Sequence, residues 1–239
     1  MYIHVTSRCN MVCAHCCFSA NGKGEDMDPD MFRIILEKWS ETINKHNHYI
    51  VLGGGEPTIH PDFWKLILLA QAAGYPWLAT NGKETEIALL LAQLARYGHV
   101  GCVLSQDAWH DPIEQCVIDA FKKELEPTEC DSWVEWSNKK DTRDRRGIRT
   151  VIAPLKSGRA RDLYKTRKGC PCPGIHFWPD GRIVACGCDD SPTLGTIDSG
   201  VSDIQYKYYD VFCGCYKEPA VVFVDKSVGI TNDSTLASE

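Results

Sequence analysis

The chain has 239 residues, 44% of them apolar and 24% charged, with a formal net charge of −6. That length fits one ordinary domain or a medium domain with a small appendage, and that composition supports a packed core, which excludes a repeat array and a chain disordered throughout. The longest apolar stretch, from Ile87 to Ala95, is broken by Gln93 and falls far short of the roughly 18 residues a membrane span needs.

In chain order, short β-like runs alternate with amphipathic helical patterns. Strands are expected at 2–6, 49–52, 77–80, 100–105, 133–136 and 150–153. Helices are expected at 28–45, opened by Asp28-Pro29, at 61–73, at 83–96 and at 112–125, with Gly74 and Gly98 where helix C-caps belong. The alternation argues for parallel βα units. About six units are too few for a closed eight-stranded barrel, so the fold class is α/β, a partial (β/α)6 barrel with its active site at the carboxyl ends of the strands. After residue 169 the pattern changes to short strands, glycines and paired cysteines. Residues 177–184 read as a hairpin turned at Asp180-Gly181, part of a small, metal-stapled appendage. From Lys226 onward the chain is polar and small, a frayed tail. The expected division is 1–160, 161–225 and 226–239.

The first strand runs into Cys9 with no secretory signal before it, so a cytoplasmic protein is expected. A reducing compartment turns thirteen cysteines toward metal ligation or catalysis. Cys9, Cys13, Cys16 and Cys17 crowd the N-terminus, while Cys170, Cys172, Cys186, Cys188, Cys213 and Cys215 crowd the last third. Cys102, Cys116 and Cys130 stand singly and read as small hydrophobic residues. Cys9, Cys13 and Cys16 form CxxxCxxC just after the first strand. A structural zinc site wants four closed ligands, whereas an iron–sulfur cluster held by three cysteines leaves one iron open. Immediately after the second strand comes Gly53-Gly54-Gly55-Glu56-Pro57, whose glycines let a backbone edge approach a ligand closely.

At these residues the chain resembles the radical SAM superfamily, which carries a CxxxCxxC loop after its first strand and a GGE-type motif after its second. Thr80-Asn-Gly82, Ser105-Gln-Asp107 with Trp109-His110, and the segment from Pro154 to Ala160 agree, and the resemblance covers roughly residues 1–160. It implies a 4Fe–4S cluster on Cys9, Cys13 and Cys16 whose open iron binds S-adenosylmethionine. It also implies reductive cleavage of that cofactor to methionine and a 5'-deoxyadenosyl radical that takes a hydrogen atom from the substrate. The electron comes from an external donor such as a flavodoxin or ferredoxin. Carried over by position, Gly54, Gly55 and Glu56 line the methionine amino group, Ser105 contacts the ribose, and His15 stands where the family has an aromatic residue near the adenine. Asn81 and Gln106 read either as cofactor contacts or as strand-end caps, His110 as a base or an ordinary polar contact, and Cys17 as a thiol packed beneath the loop.

The six C-terminal cysteines, three CxC pairs, resemble the SPASM or twitch extensions of radical SAM enzymes, which implies an auxiliary 4Fe–4S cluster. Their spacing departs from that pattern and keeps a structural zinc as the alternative. Residues 139–168 hold twelve of the 26 Lys and Arg against three acids, a local +9 on an acidic chain. Such a segment is either an electrostatic footprint for a polyanion or a solvated face on which Asp141 and Asp144 pair locally. Its compact size and basic segment make the chain similar to the small phage-encoded radical SAM isomerases of thymidine hypermodification. That similarity implies a DNA substrate, in the host cytoplasm, whose glycyl group moves from nitrogen to carbon attachment on a modified thymine. A maturase acting on a ribosomally made peptide is the alternative, and a non-catalytic iron–sulfur or zinc protein the third reading.

Overall fold

The computed structural model describes residues 1–41, 49–122, 144–150, 158–162, 174–188, 191–210, 212–213 and 218–219. The strand expected at 133–136 lies outside these residues, as do Cys130, Cys170, Cys172, Cys215 and the tail 226–239.

Strand β1 (Tyr2–Thr6) is central, with β2 (Tyr49–Gly54) on one side. Strands β3 (Tyr75–Thr80), β4 (Gly101–Ser105) and β5 (Arg146–Arg149) follow outward, each parallel to the last. The connecting helices are α1 (Pro29–Lys38), α2 (Phe63–Ala73), α3 (Thr85–Arg96) and α4 (Gln115–Phe121). Helix α1 starts as expected, with Pro29 in its first turn and the Asp28 carboxylate accepting from the Asp30 N–H. Helix α2 begins two residues later than expected because Pro57–Ile59 first takes a 3-10 turn. Gly98 follows α3 at φ +77°, a left-handed position suited to glycine. Gly74 caps α2 with extended backbone instead, its N–H bonding to Ala70 O.

The described partner of β4 is Arg146–Arg149, while residues 151–153 of the strand expected at 150–153 lie outside the described residues. Apolar residues drew the expectation to Val151-Ile-Ala153. The segment that pairs is Arg-Gly-Ile-Arg, half-buried to exposed as befits a strand with one described neighbour, where charge is tolerated.

On its other side β1 pairs in parallel with β6 (His176–Phe177). Strands β7 (Arg182–Val184) and β8 (Thr193–Thr196) then add antiparallel, giving one eight-stranded sheet in the order β5-β4-β3-β2-β1-β6-β7-β8. The expected turn is present: Gly181 has φ +82° and its N–H bonds to Trp178 O at 3.0 Å. The hairpin is annexed to the sheet of the βα units. Phe177, Ile183, Leu194 and, from helix α5 (Val201–Asp210), Ile204 pack into the same core as Ile3, Val5, Phe32, Leu52, Leu78 and Leu104. Cys102 is also buried in the sheet, as expected, whereas Cys116 is exposed on α4. No helix among the described residues is long and apolar enough to cross a membrane.

Candidate active site

Because β1 to β5 are parallel, Thr6, Gly54, Thr80, Ser105 and Arg149 all reach the same edge of the sheet. The cysteine loop springs from this edge. Its root is fixed by Arg8, which pairs with Asp26 at 2.6 Å and donates to Ile59 O, and by Thr6 Oγ1 donating to Asp26 at 2.7 Å. The glycine motif runs alongside: Gly55 N–H donates to Thr6 O and Glu56 N–H to Arg8 O, both at 2.8 Å. A Cβ on Gly54 would overlap Thr6 O, and one on Gly55 would overlap Arg8 O. The close approach that these glycines permit is therefore to the root of the cysteine loop.

Cys9, Cys13 and Cys16 are half-buried and none is in a disulfide. The Met11 N–H points at Cys9 Sγ at 3.4 Å and the Asn81 amide at 3.7 Å. Burial, helped by the nearby Glu56, Cys16 and Cys13, pushes the Cys9 thiol up to about 11, and burial with Cys16 raises Cys13. Raised in this way, Cys9 and Cys13 favour a strongly cationic partner when they give up their protons. The donor set fits a thiolate-held iron–sulfur cluster on this chemistry.

Glu56 is buried at 2% exposure, and its carboxylate is engaged by the chain itself. Oε1 accepts from Thr58 Oγ1 at 2.7 Å, Thr80 Oγ1 at 2.8 Å and Thr58 N–H, and Oε2 accepts from Asn81 N–H at 2.7 Å. Burial raises its pKa against the pull of those donors. It thus ties the end of β2 to the end of β3. Asn81 caps the strand end, its Oδ1 accepting from the Lys83 N–H, while its amide reaches Cys9 Sγ and Asn10 Oδ1.

At the end of β4, Ser105 is buried, with Arg149 Nη2 at 3.5 Å. Asp107 accepts from His110 Nδ1 at 2.8 Å and from Trp109 N–H at 2.9 Å, and His15 Nε2 stands 3.9 Å from its other oxygen. The sequence sets His15 about ninety residues before Asp107 and His110, and the structure gathers the three at one rim. Burial depresses the His15 pKa to about 4 despite Asp107. His15 Nδ1 and Gln106 Oε1 are buried with no hydrogen-bond partner among the described residues, so the rim holds polar capacity that the described chain leaves unused.

Arg159 was legible only as a base within the Pro154 to Ala160 segment. Its N–H donates to Cys16 O and its Nε to Cys13 O, both at 3.0 Å. Within the basic segment, Arg146 forms a two-pronged pair with Asp144, the local pairing that the sequence offered as an alternative, and reaches Ala120 O at 2.7 Å. Lys139, Lys140, Arg143, Lys156, Lys165, Arg167 and Lys168 lie outside the described residues.

Cys186 and Cys188 follow β7 and are buried. The described residues bring neither to the cysteine loop's own ligand set, and of Cys213 only the backbone is described. Beside them is a layer that the sequence did not announce. His4 Nε2 and His176 Nδ1 share a hydrogen bond at 3.0 Å, Tyr2 stacks on His176 and His4 on Trp178, and Phe18 meets His4 edge-on.

The curated relatives each match part of the chain. A 7,8-dihydro-6-hydroxymethylpterin dimethyltransferase of Methanocaldococcus jannaschii is 32% identical over 138 residues, 51% of this chain and 27% of that protein. Mycofactocin maturase MftC of Mycobacterium tuberculosis is 36% identical over 94 residues, 37% of this chain and 23% of that protein. The chain thus spans about a quarter of the length of the curated relatives it matches. The crystal structure of BtrN in complex with AdoMet and 2-DOIA superposes with a TM-score of 0.57 at 15% identity, covering 87% of this chain and 83% of that one, a likeness of fold. The model of the radical SAM superfamily matches residues 3–122, from the first strand through the cysteine loop, the glycine–glutamate turn and β4, and by that match the chain belongs to the radical SAM superfamily.

Proposed function

We propose that Cys9, Cys13 and Cys16 hold a 4Fe–4S cluster and that His15, Gly54, Gly55, Glu56, Asn81 and Ser105 surround S-adenosylmethionine. The observation that carries this reading is three free thiols in the loop after β1, Cys9 among them accepting from Met11 and Asn81, with the root of the loop braced against the Gly55-Glu56 turn. When bound, the pair supplies one-electron cleavage of S-adenosylmethionine to methionine and a 5'-deoxyadenosyl radical that takes a hydrogen atom from the substrate. The chain's own contribution is positional. Glu56 locks the ends of β2 and β3, and Asn81 and Met11 orient Cys9. His110, its Nδ1 held by Asp107, presents its Nε2 as a proton acceptor at the rim.

For the substrate, the specific reading is isomerisation of a glycyl-modified thymidine in DNA from nitrogen to carbon linkage. It is supported by the +9 balance of residues 139–168 and by Arg149, exposed at the end of β5 beside Ser105. A radical SAM maturase modifying a ribosomally made peptide is the second reading, favoured by the likeness to mycofactocin maturase MftC. We assign the auxiliary 4Fe–4S cluster, or a zinc, to the cysteines at 170, 172, 186, 188, 213 and 215 in a segment 161–225 that follows the core 1–160 and precedes a tail 226–239. The electron donor is a flavodoxin or ferredoxin and the compartment the cytoplasm.

The test is anaerobic reconstitution, with mass spectrometry of 5'-deoxyadenosine and of glycyl-thymidine DNA and precursor-peptide substrates. Steep salt dependence of duplex binding accompanies the DNA reading, because each neutralised phosphate contributes about 0.9 to the logarithmic slope. A modified peptide with unmodified DNA moves the assignment to the maturase.

A further inference from the structure

The cysteine loop lies among acceptors: three thiols, the buried Glu56 carboxylate, and Asp107 and Asp111, whose negative charges also act on Cys13. The other cations near the loop have partners of their own, and Lys83 also reaches the loop, at Asn10 O. Arg8 is held by Asp26, Lys83 by Asp111 and Asn10 O, and Arg149 leans on Ser105. Among the described residues, Arg159 is the cation that hydrogen-bonds the backbone of Cys13 and Cys16.

Its placement is specific. Gly158 takes φ +52°, and a Cβ there would stand 2.6 Å from Cys16 O and 2.7 Å from the backbone of Cys17, so the turn 158–162 is pressed onto the loop itself. From that position the backbone N–H of Arg159 donates to Cys16 O and its Nε to Cys13 O, which also accepts the Cys16 N–H at 3.2 Å. The Arg159 side chain is half-buried, so solvent only partly screens its charge, and a guanidinium keeps that charge at any working pH. Adding an electron to a thiolate-held cluster makes it more negative. A fixed cation at the ligand backbone stabilises that reduced form more than the oxidised one.

We propose that Arg159 is a positioning residue that serves as counter-cation of the cysteine loop and raises the reduction potential of its iron–sulfur cluster. This rests on the cluster assignment to Cys9, Cys13 and Cys16. One electron enters from dithionite or the low-potential donor, and no bond is made or broken at Arg159.

The experiment is an EPR-monitored redox titration of the full, anaerobically reconstituted chain without substrate, with iron and sulfide assayed alongside. Variants that remove Cys186 and Cys188 keep the N-terminal signal separate from any auxiliary one. R159Q is expected to retain the cluster while its reduced-to-oxidised ratio at a given potential falls about tenfold, about 59 mV for a one-electron couple. R159K, which keeps the charge, is expected to stay within about twofold of the parent. A titration of R159Q within twofold of the parent overturns the proposal, as does R159K shifting as far as R159Q. If R159Q holds no iron, R159K decides alone, supporting the proposal at the parent potential and overturning it otherwise. In C13A, loss of the signal is expected, and its persistence would refute the cluster assignment, a failure distinct from that of Arg159.

Discussion

Glu56 shows how a motif residue can be read correctly in position and incompletely in role. The sequence marks a carboxylate after a glycine run, and only the fold reveals that four donors from Thr58, Thr80 and Asn81 already converge on it. Glu56→Gln turns an amide N–H2 or a weaker oxygen toward those donors. A loss of about 1–3 kcal/mol is expected in urea unfolding of the apo protein, where an undiminished midpoint would show the network to be unimportant. Cys9, Cys13 and Cys16 carry a sharper expectation. Each Cys→Ala change should bring 5'-deoxyadenosine formation to background by chromatography, since two thiolates cannot seat the same cluster, and turnover near the parent rate in any one of them contradicts the ligand set. The three cysteines and Glu56 were legible because local spacing carries their signal. Arg159 was not, because its partners, Cys13 and Cys16, lie more than a hundred residues earlier and no local pattern encodes that contact.

At the scale of elements, strands β1 to β4 were legible from their apolar runs, and β5 went unseen because its pairing depends on the edge of β4 and not on its own hydrophobicity. The layer formed by β1 and β6 was equally hidden, since Tyr2 and His176 become neighbours through a parallel ladder. That layer has a pH consequence. Burial holds His176 at about 3 and His4 well below 6.5, so both fold in the neutral state. As pH falls below 6.5 the unfolded chain takes up protons that the native layer refuses, and stability is lost, by at most about 1.4 kcal/mol per pH unit for each imidazole. Urea midpoints of the apo protein should therefore drop between pH 6.5 and 5. A flat profile there would mean that the pair is charged or open to water.

At the scale of the whole molecule, the paired C-terminal cysteines announced an appendage, and the ladder between β1 and β6 makes it part of the sheet. Cutting the chain after residue 169 removes Phe177, Ile183, Leu194 and Ile204 from a shared core. Burial of each such side chain is worth about 1.5–3 kcal/mol, so the truncated protein should fail to fold cooperatively and be recovered insoluble or protease-sensitive. The double change of Cys186 and Cys188 to Ser separates metal from fold. It should lower total iron or zinc while leaving 5'-deoxyadenosine formation measurable, and unchanged metal content would remove these two from the auxiliary ligands.

The same ladder orders events during synthesis. Strand β1, with the cysteine loop at its end, leaves the ribosome well before β6 and gains its second neighbour only when residues 176–196 have followed it out. Until then the loop hangs from the open margin of an unfinished sheet, without the layer of His176 and Trp178 against His4. Pairing across so long a stretch of chain is slow to close, and the cluster proposed for the loop would accordingly be loaded late, following the hairpin's arrival.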